Sequence, residues 1–359
     1  MEWRKRLQRA AASVAVSRVR KLTTGEYASL MLIFTVLLAA MTIFSIGSGR
    51  FPIAPGDVLK ILFQPVFGFE TTWSPQAESV IFSLRLPRVL AAILIGAALS
   101  LSGAAYQSVF KNPLVAPDML GVSSGACVGA SLGILVGLSQ FGVQIGAFCG
   151  GMLAVAVAVL IPRIIGKNSI VMLVLAGIIV GGLMSSLMGI IKYVADSETE
   201  LPAITYWQLG SLVNVVWENI VYNGLPILVC GFFMLLLRWR MNILTLSEEE
   251  AHMLGRHTGW MRYAIIFCAT VLTASSVCIS GTVGWIGLVI PHFSRILVGP
   301  NNQRLLPLAV VLGALFLLVV DTLSRASMRT EIPLSILTGL IGAPFYFYLL
   351  LRQRMAVTS

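Results

Sequence analysis

The feature that most constrains this chain is the recurrence of apolar runs about twenty residues long, the length a helix needs to cross the ~30 Å hydrocarbon layer of a bilayer. Ten such runs read from the sequence, at 28–46, 88–110, 120–138, 142–161, 170–193, 219–237, 263–280, 282–297, 305–323 and 333–351. Gly284, Gly287 and Pro291 interrupt the eighth, which predicts a partly unwound helix there. Residues of the set AVILMFWYC make up 57% of the chain and charged residues 11%, with a mean hydropathy of +0.89. A soluble domain carries about a quarter charged residues. A soluble fold, a disordered chain and a nucleic-acid-binding domain are therefore poor readings, and the expected fold is an all-α integral membrane protein of about ten transmembrane helices.

An even number of spans puts both termini on one side, and the basic residues say which. With the N-terminus in the cytosol, 18 of the 25 Lys and Arg fall in cytosolic segments, as the positive-inside rule requires. The seven outside are Arg50, Lys60, Arg85, Arg88, Lys192, Arg325 and Arg329. Topology thus accounts for the net charge of +10 without an acidic partner. The expected organisation is a basic cytosolic tail at 1–27, a single ten-span membrane domain at 28–354 with a cytosolic loop at 238–262, and a short C-terminal tail at 355–359. No small-residue cleavage site follows the first apolar run, so the tail is expected to be retained. Cys127, Cys149, Cys230, Cys268 and Cys278 all lie in apolar stretches with no metal-ligand spacing, and read as small core hydrophobes rather than metal ligands.

Gly121, Gly125, Gly129, Gly133 and Gly137 recur every four residues through the third span, laying a nearly bare stripe along one helix face. Such a stripe lets another helix approach closely. Gly146 with Gly150, and Gly177 with Gly181, extend that expectation to the neighbouring spans. A fainter echo, Ser102-Gly103 with Pro113 and Ser280-Gly281 with Pro291, suggests an inverted repeat of spans 2–5 and 7–10, a common transporter plan.

Few patterns carry chemistry. Gly121-Val-Ser123-Ser-Gly125 fits a nucleophile elbow, but it sits in the glycine ladder of a span and has no evident general base. Gly166-Lys167 is not a nucleotide loop, because Ile161 and Asn168 stand where Walker A needs glycine and a hydroxyl residue. Within the spans Asp321 is the clearest ionisable group. Ion-coupled carriers keep such groups near the midplane, so their scarcity points to an energy source on another polypeptide. Arg85 and Arg88, three apart around Pro87, share one side of a helical turn. They either snorkel to lipid phosphates or bind carboxylates of an external partner, and Arg325 with Arg329 allows the same two readings. In the cytosolic loop, 246–255 reads as a short amphipathic helix capped by Ser247 with Glu250 closing a capping box.

Arg85-Leu-Pro-Arg88, Gly96-Ala-Ala-Leu-Ser-Leu-Ser-Gly103 and Asn112-Pro-Leu114-Val-Ala-Pro117-Asp-Met-Leu-Gly-Val-Ser-Ser-Gly125 resemble the permease subunit of ABC importers for iron-siderophores, haem and cobalamin. The likeness continues in order through Leu175-Ala-Gly177, Trp207-Gln-Leu-Gly-Ser211, Leu246-Ser-Glu-Glu-Glu-Ala251, Ser280-Gly-Thr-Val-Gly-Trp-Ile-Gly-Leu-Val-Ile-Pro-His292, Glu331-Ile-Pro333 and Gly342-Ala-Pro344. It covers about residues 28–354. The resemblance implies a homodimer in the bacterial inner membrane, two cytosolic ATPase subunits that use ATP and Mg, and a periplasmic substrate-binding protein; the chain itself binds no cofactor or metal. By position, Arg85, Arg88 and Arg325 match arginines that receive the binding protein. Asn112 and Leu114 match a cytosolic gate, and Asn168 and Ser169 a second gate region. Glu248, Glu249, Glu250, Met253 and Leu254 fall in the helix that couples to the ATPase.

The expected function is thus the transmembrane, non-enzymatic subunit of an importer for a metal chelate or related cofactor. The alternatives are a self-sufficient ion-coupled carrier and an intramembrane hydrolase using Ser123.

Overall fold

The computed structural model describes residues 22–166, 169–246, 250, 259–327 and 330–358. Among them, seven helices are long and apolar enough to span a bilayer, and three shorter apolar helices complete the ten expected.

Helix α1 (Thr24–Gly47) starts at a capping box in which Thr23 Oγ1 accepts from Glu26 N and Glu26 Oε2 accepts from Thr23 N. The outer segment 47–87, between the first two expected spans, contains α2 (Pro55–Phe67) and the first turns of α3 (Pro75–Val109). A π-helical turn, Val80–Arg85, lies within α3, an irregularity that no sequence periodicity announces. The α3–α4 connector holds a 3-10 turn, Pro117–Leu120, before α4 (Val122–Leu135). Then come α5 (Gln140–Ile164), α6 (Ile170–Val194), the short outer α7 (Glu200–Leu209), α8 (Trp217–Leu236) and α9 (Arg238–Leu244). The chain ends with α10 (Gly259–Ser280), α11 (Ile286–Val298), α12 (Asn302–Ala326) and α13 (Leu334–Thr358).

Burial sorts these helices into a centre and a rim. The most apolar stretches of α3, α10 and α12 are 78%, 83% and 67% buried, against 17% for α1 and 22% each for α6 and α8. Lipid tails are as apolar as leucine, so the centre is held by close packing and interhelical hydrogen bonds rather than by a hydrophobic driving force. Both are present. A Cβ at Gly103 would lie 1.8 Å from Gly287 O of α11, and one at Gly96 would lie 2.2 Å from Gly313 O of α12. Ser102 Oγ donates to Ala269 O of α10 (2.9 Å) and Ser100 Oγ to Ala309 O of α12 (2.6 Å).

The predicted glycine stripe has the role its spacing implies. A Cβ at Gly125 would meet Gly150 O at 2.4 Å, and one at Gly129 would meet Gly146 O at 2.0 Å, locking α4 onto α5. Gly177 faces Met119 O of the connector, whereas the Cβ position of Gly181 is open. The fainter echo does not mark equivalent places, because Gly103 lies inside α3 while Gly281 ends α10 at φ +68.

The interrupted eighth span is unwound as expected. Residues 281–285 are non-helical and α11 begins only after Trp285, at φ +69. Backbone freed at membrane depth needs protein partners. The Ser280 carbonyl, freed at the end of α10, accepts from Ser211 N (2.8 Å); the Thr282 hydroxyl donates to Gln208 O (2.5 Å), and Leu334 N on Gly210 O (3.0 Å) fixes the start of α13 against the same segment.

Candidate functional site: rim, connector and coupling loop

At the outer rim the π-helical turn brings Arg85 toward α1. Arg85 Nη1 donates to Ile46 O (2.6 Å) and Gly47 O (3.1 Å), and Nη2 to Phe51 O (2.5 Å). Arg325, from the last turn of α12, reaches the same end of α1, with Nη2 on Ser45 O (2.5 Å) and Nη1 on Ser48 O (3.1 Å). Two guanidiniums thus cover carbonyls at the C-terminus of α1, where the helix dipole favours cations. Arg88 differs, because it pairs with carboxylates. Its Nε donates to Asp321 Oδ1 (2.9 Å), while Nη1 and Nη2 hold Glu331 Oε1 (2.9 Å) and Oε2 (2.7 Å) as a bidentate pair. Asp321 is fully buried and its Oδ2 lies 3.5 Å from Arg325 Nε. The three sequence-predicted arginines therefore form one cluster with two carboxylates, and each is engaged within this chain. Sequence reading singled out Asp321 as an ionisable group but not its place between two arginines.

At the cytosolic end, α3 stops at Phe110 and the connector turns at Lys111, which takes φ +51. Asn112 Oδ1 accepts from Leu114 N (2.9 Å) and Asn112 O from Val115 N (3.3 Å), a local turn that leaves Leu114 55% exposed. Lys111 Nζ donates to the carbonyl of Leu246, so the connector is bonded to the first residue of the segment 246–255 that the sequence marks as an expected coupling element. Ser169 caps α6 by accepting from Met172 N (3.2 Å). Asn168 lies outside the described residues, as do Glu248, Glu249, Met253 and Leu254; Glu250 is described and exposed.

The connector then does what its sequence did not announce. Pro117 packs over Gly287, where a Cβ would lie 2.5 Å from the Pro117 ring and 3.0 Å from Leu99 O. It is a re-entrant segment rather than a cytosolic loop, and it carries Asp118 inward. Asp118 Oδ1 accepts from the Ser123 hydroxyl. The elbow geometry for a nucleophilic Ser123 is missing, since Gly121 at φ +80 opens a helix without a preceding strand. Among the described residues the one histidine, His292, is buried on α11 edge-on to Tyr346, and no cluster suited to a metal ion occurs.

Comparison with known proteins agrees with this architecture. The FecCD transport family matches residues 37–352. The molybdate import system permease protein of Haemophilus influenzae is 39% identical over 329 residues, 92% of this chain and 97% of the relative. The hemin transport system permease protein of Yersinia pestis is 34% identical over 297 residues, 80% and 88% of the two chains. A solved structure described as an inward-facing conformation of a putative metal-chelate type ABC transporter superposes with a TM-score of 0.82 at 38% identity, covering 90% of this chain and 99% of that one. With this family matched over residues 37–352 and permease relatives aligned along most of the chain, the chain belongs to the FecCD transport family, as a permease component of an ABC importer.

Proposed function

We propose that this chain forms, as a homodimer in the bacterial inner membrane, the translocation path of an importer for a metal chelate or related cofactor. ATP and Mg are used by two cytosolic ATPase subunits, and a periplasmic binding protein delivers the cargo. One observation carries the reading: the connector bearing Asn112 and Leu114 is bonded through Lys111 to Leu246, where the 238–262 loop enters its coupling segment. A displacement of that loop by an ATPase has a direct bonded route to an exposed side chain at the cytosolic mouth. In this reading Asn112 and Leu114 gate the path together with Asn168 and Ser169. Glu248, Glu249, Glu250, Met253 and Leu254 dock the ATPase, a short acidic segment suiting a groove on a soluble partner.

The rim receives the binding protein in this account. Arg85, Arg88 and Arg325 against Asp321 and Glu331 keep one net positive charge on the outer face, which steers an acidic partner over a distance of about a Debye length. Their internal bonds add a second role, holding α1, α3 and α12 together. The relatives' names span an oxyanion and haem, so the cargo class needs measurement. Uptake of ferric siderophore, haem, cobalamin and molybdate into vesicles holding the assembled importer tests it. Saturable uptake of one of the first three supports the proposal, and uptake of molybdate alone overturns the cargo assignment.

A further inference from the structure

The connector places Asp118 at a depth where a carboxylate is costly. It shares a small cavity with Leu99, Ser123, Thr273, Trp285 and Gly287. Leu99 lies about 15 Å along α3 from its cytosolic end at Val109, and Thr273 about 10 Å along α10 from its outer end at Ser280, at 1.5 Å per residue. Asp118 is therefore well inside a ~30 Å hydrocarbon layer. Yet its side chain keeps accessible surface, turned into that cavity although protein surrounds it on all sides. A carboxylate facing lipid at that depth costs at least ~2.5 kcal/mol, and such groups face a water-filled cavity or a protein interior. Ser123 satisfies one oxygen locally, and no arginine or lysine is paired with Asp118 among the described residues.

We propose that Asp118 lines the aqueous translocation path near mid-membrane and biases it toward cargo that presents cationic groups or N–H and O–H donors. This rests on the importer reading above. The groups gathered at the cavity are a carboxylate, the Ser123 hydroxyl and the 39% exposed indole of Trp285. Trp285 is held in place where Gly342 of α13 passes it, a Cβ there falling 2.7 Å from Trp285 Cβ. An indole face and a carboxylate suit a donor-bearing chelate with a broad apolar or planar body. They repel a bare oxyanion.

The test uses the importer assembled with its ATPase subunits in vesicles, with Cys127, Cys149, Cys230, Cys268 and Cys278 replaced by serine or alanine. Ser123→Cys is reacted with a cationic and an anionic membrane-impermeant methanethiosulfonate, each rate normalised to free cysteine. The cationic reagent should react about fivefold faster or more, and Asp118→Asn should bring the ratio near one. Leu153→Cys, on the lipid side of α5, should stay unreactive. Asp118→Cys serves as a second probe of water access where Ser123→Cys perturbs assembly. Thiols at 118 and 123 that are inert with and without nucleotide overturn the inference, as does a charge ratio that Asp118→Asn leaves unchanged. ATP-driven uptake by the unaltered importer is scored separately, so failure of the path-lining role is distinguishable from failure of the importer reading.

Discussion

The ammonium of Lys111 donates to the backbone carbonyl of Leu246, joining the connector after α3 to the loop that follows α9 across 135 positions of sequence. Lys111 also holds the connector's one left-handed non-glycine backbone angle among the described residues, at φ +51. Lys111→Met keeps most of the side-chain length and removes the donor. ATP hydrolysis by the partner subunits should continue while uptake per ATP falls several-fold, measured as the ratio of cargo moved to phosphate released. An unchanged ratio would show that the bond is incidental.

Leu114 is exposed beside the Asn112 turn, so its removal should cost little stability. Leu114→Ala in vesicles without ATP should pass a small tracer faster than the unaltered protein. Leak and transport both at the original level would contradict the gate assignment.

The Arg88 cluster should respond unequally to loss of its two carboxylates. Asp321 is buried between Arg88 and Arg325, and removing one partner of a buried charge pair costs about 3–5 kcal/mol. Asp321→Asn should therefore lower the thermal midpoint in detergent by several degrees. Glu331 has a side-chain exposure of 27%, so Glu331→Gln should cost less and leave the rim one charge more positive. Association with the binding protein should then speed up at low salt and return to the original rate at high salt. A rate that ignores both the substitution and the salt would remove the rim from the docking account.

Helix contacts at the centre should tolerate no added bulk. Gly103→Leu forces α3 away from α11, where even a Cβ would fall 1.8 Å from Gly287 O, whereas Gly181→Leu enters open space. The first should abolish recovery of folded protein in size-exclusion chromatography, and the second should not. Equal recovery of both would contradict the packing described.

Much of this was legible in the sequence because membrane spans announce themselves by length and glycine stripes by spacing. The ten spans, the break before α11 and the α4–α5 contact all follow from local patterns. What escaped depends on contacts distant in sequence. Nothing in Asn112 to Gly121 distinguishes a cytosolic loop from one folded back into the bilayer. The return of Pro117 to Gly287 is visible only in three dimensions, and with it the depth of Asp118. The rim arginines were conspicuous for lying outside against the charge bias. Their partners were not, because Ser45, Ile46 and Phe51 offer backbone carbonyls that any sequence would carry. Asn168 and all of 247–258 except Glu250 lie outside the described residues, and the gating and coupling roles proposed for them are tested above through Leu114 and Lys111.

The central claim is that energy enters from partner ATPases and not through this chain. Uptake of radiolabelled cargo into vesicles holding the permease, with or without its ATPase subunits, tests it directly when ATP is supplied or an ion gradient is imposed. Uptake should require the ATPase subunits and hydrolysable ATP and be indifferent to a proton or sodium gradient. Accumulation by this chain alone in such a gradient, without ATP, would contradict the account.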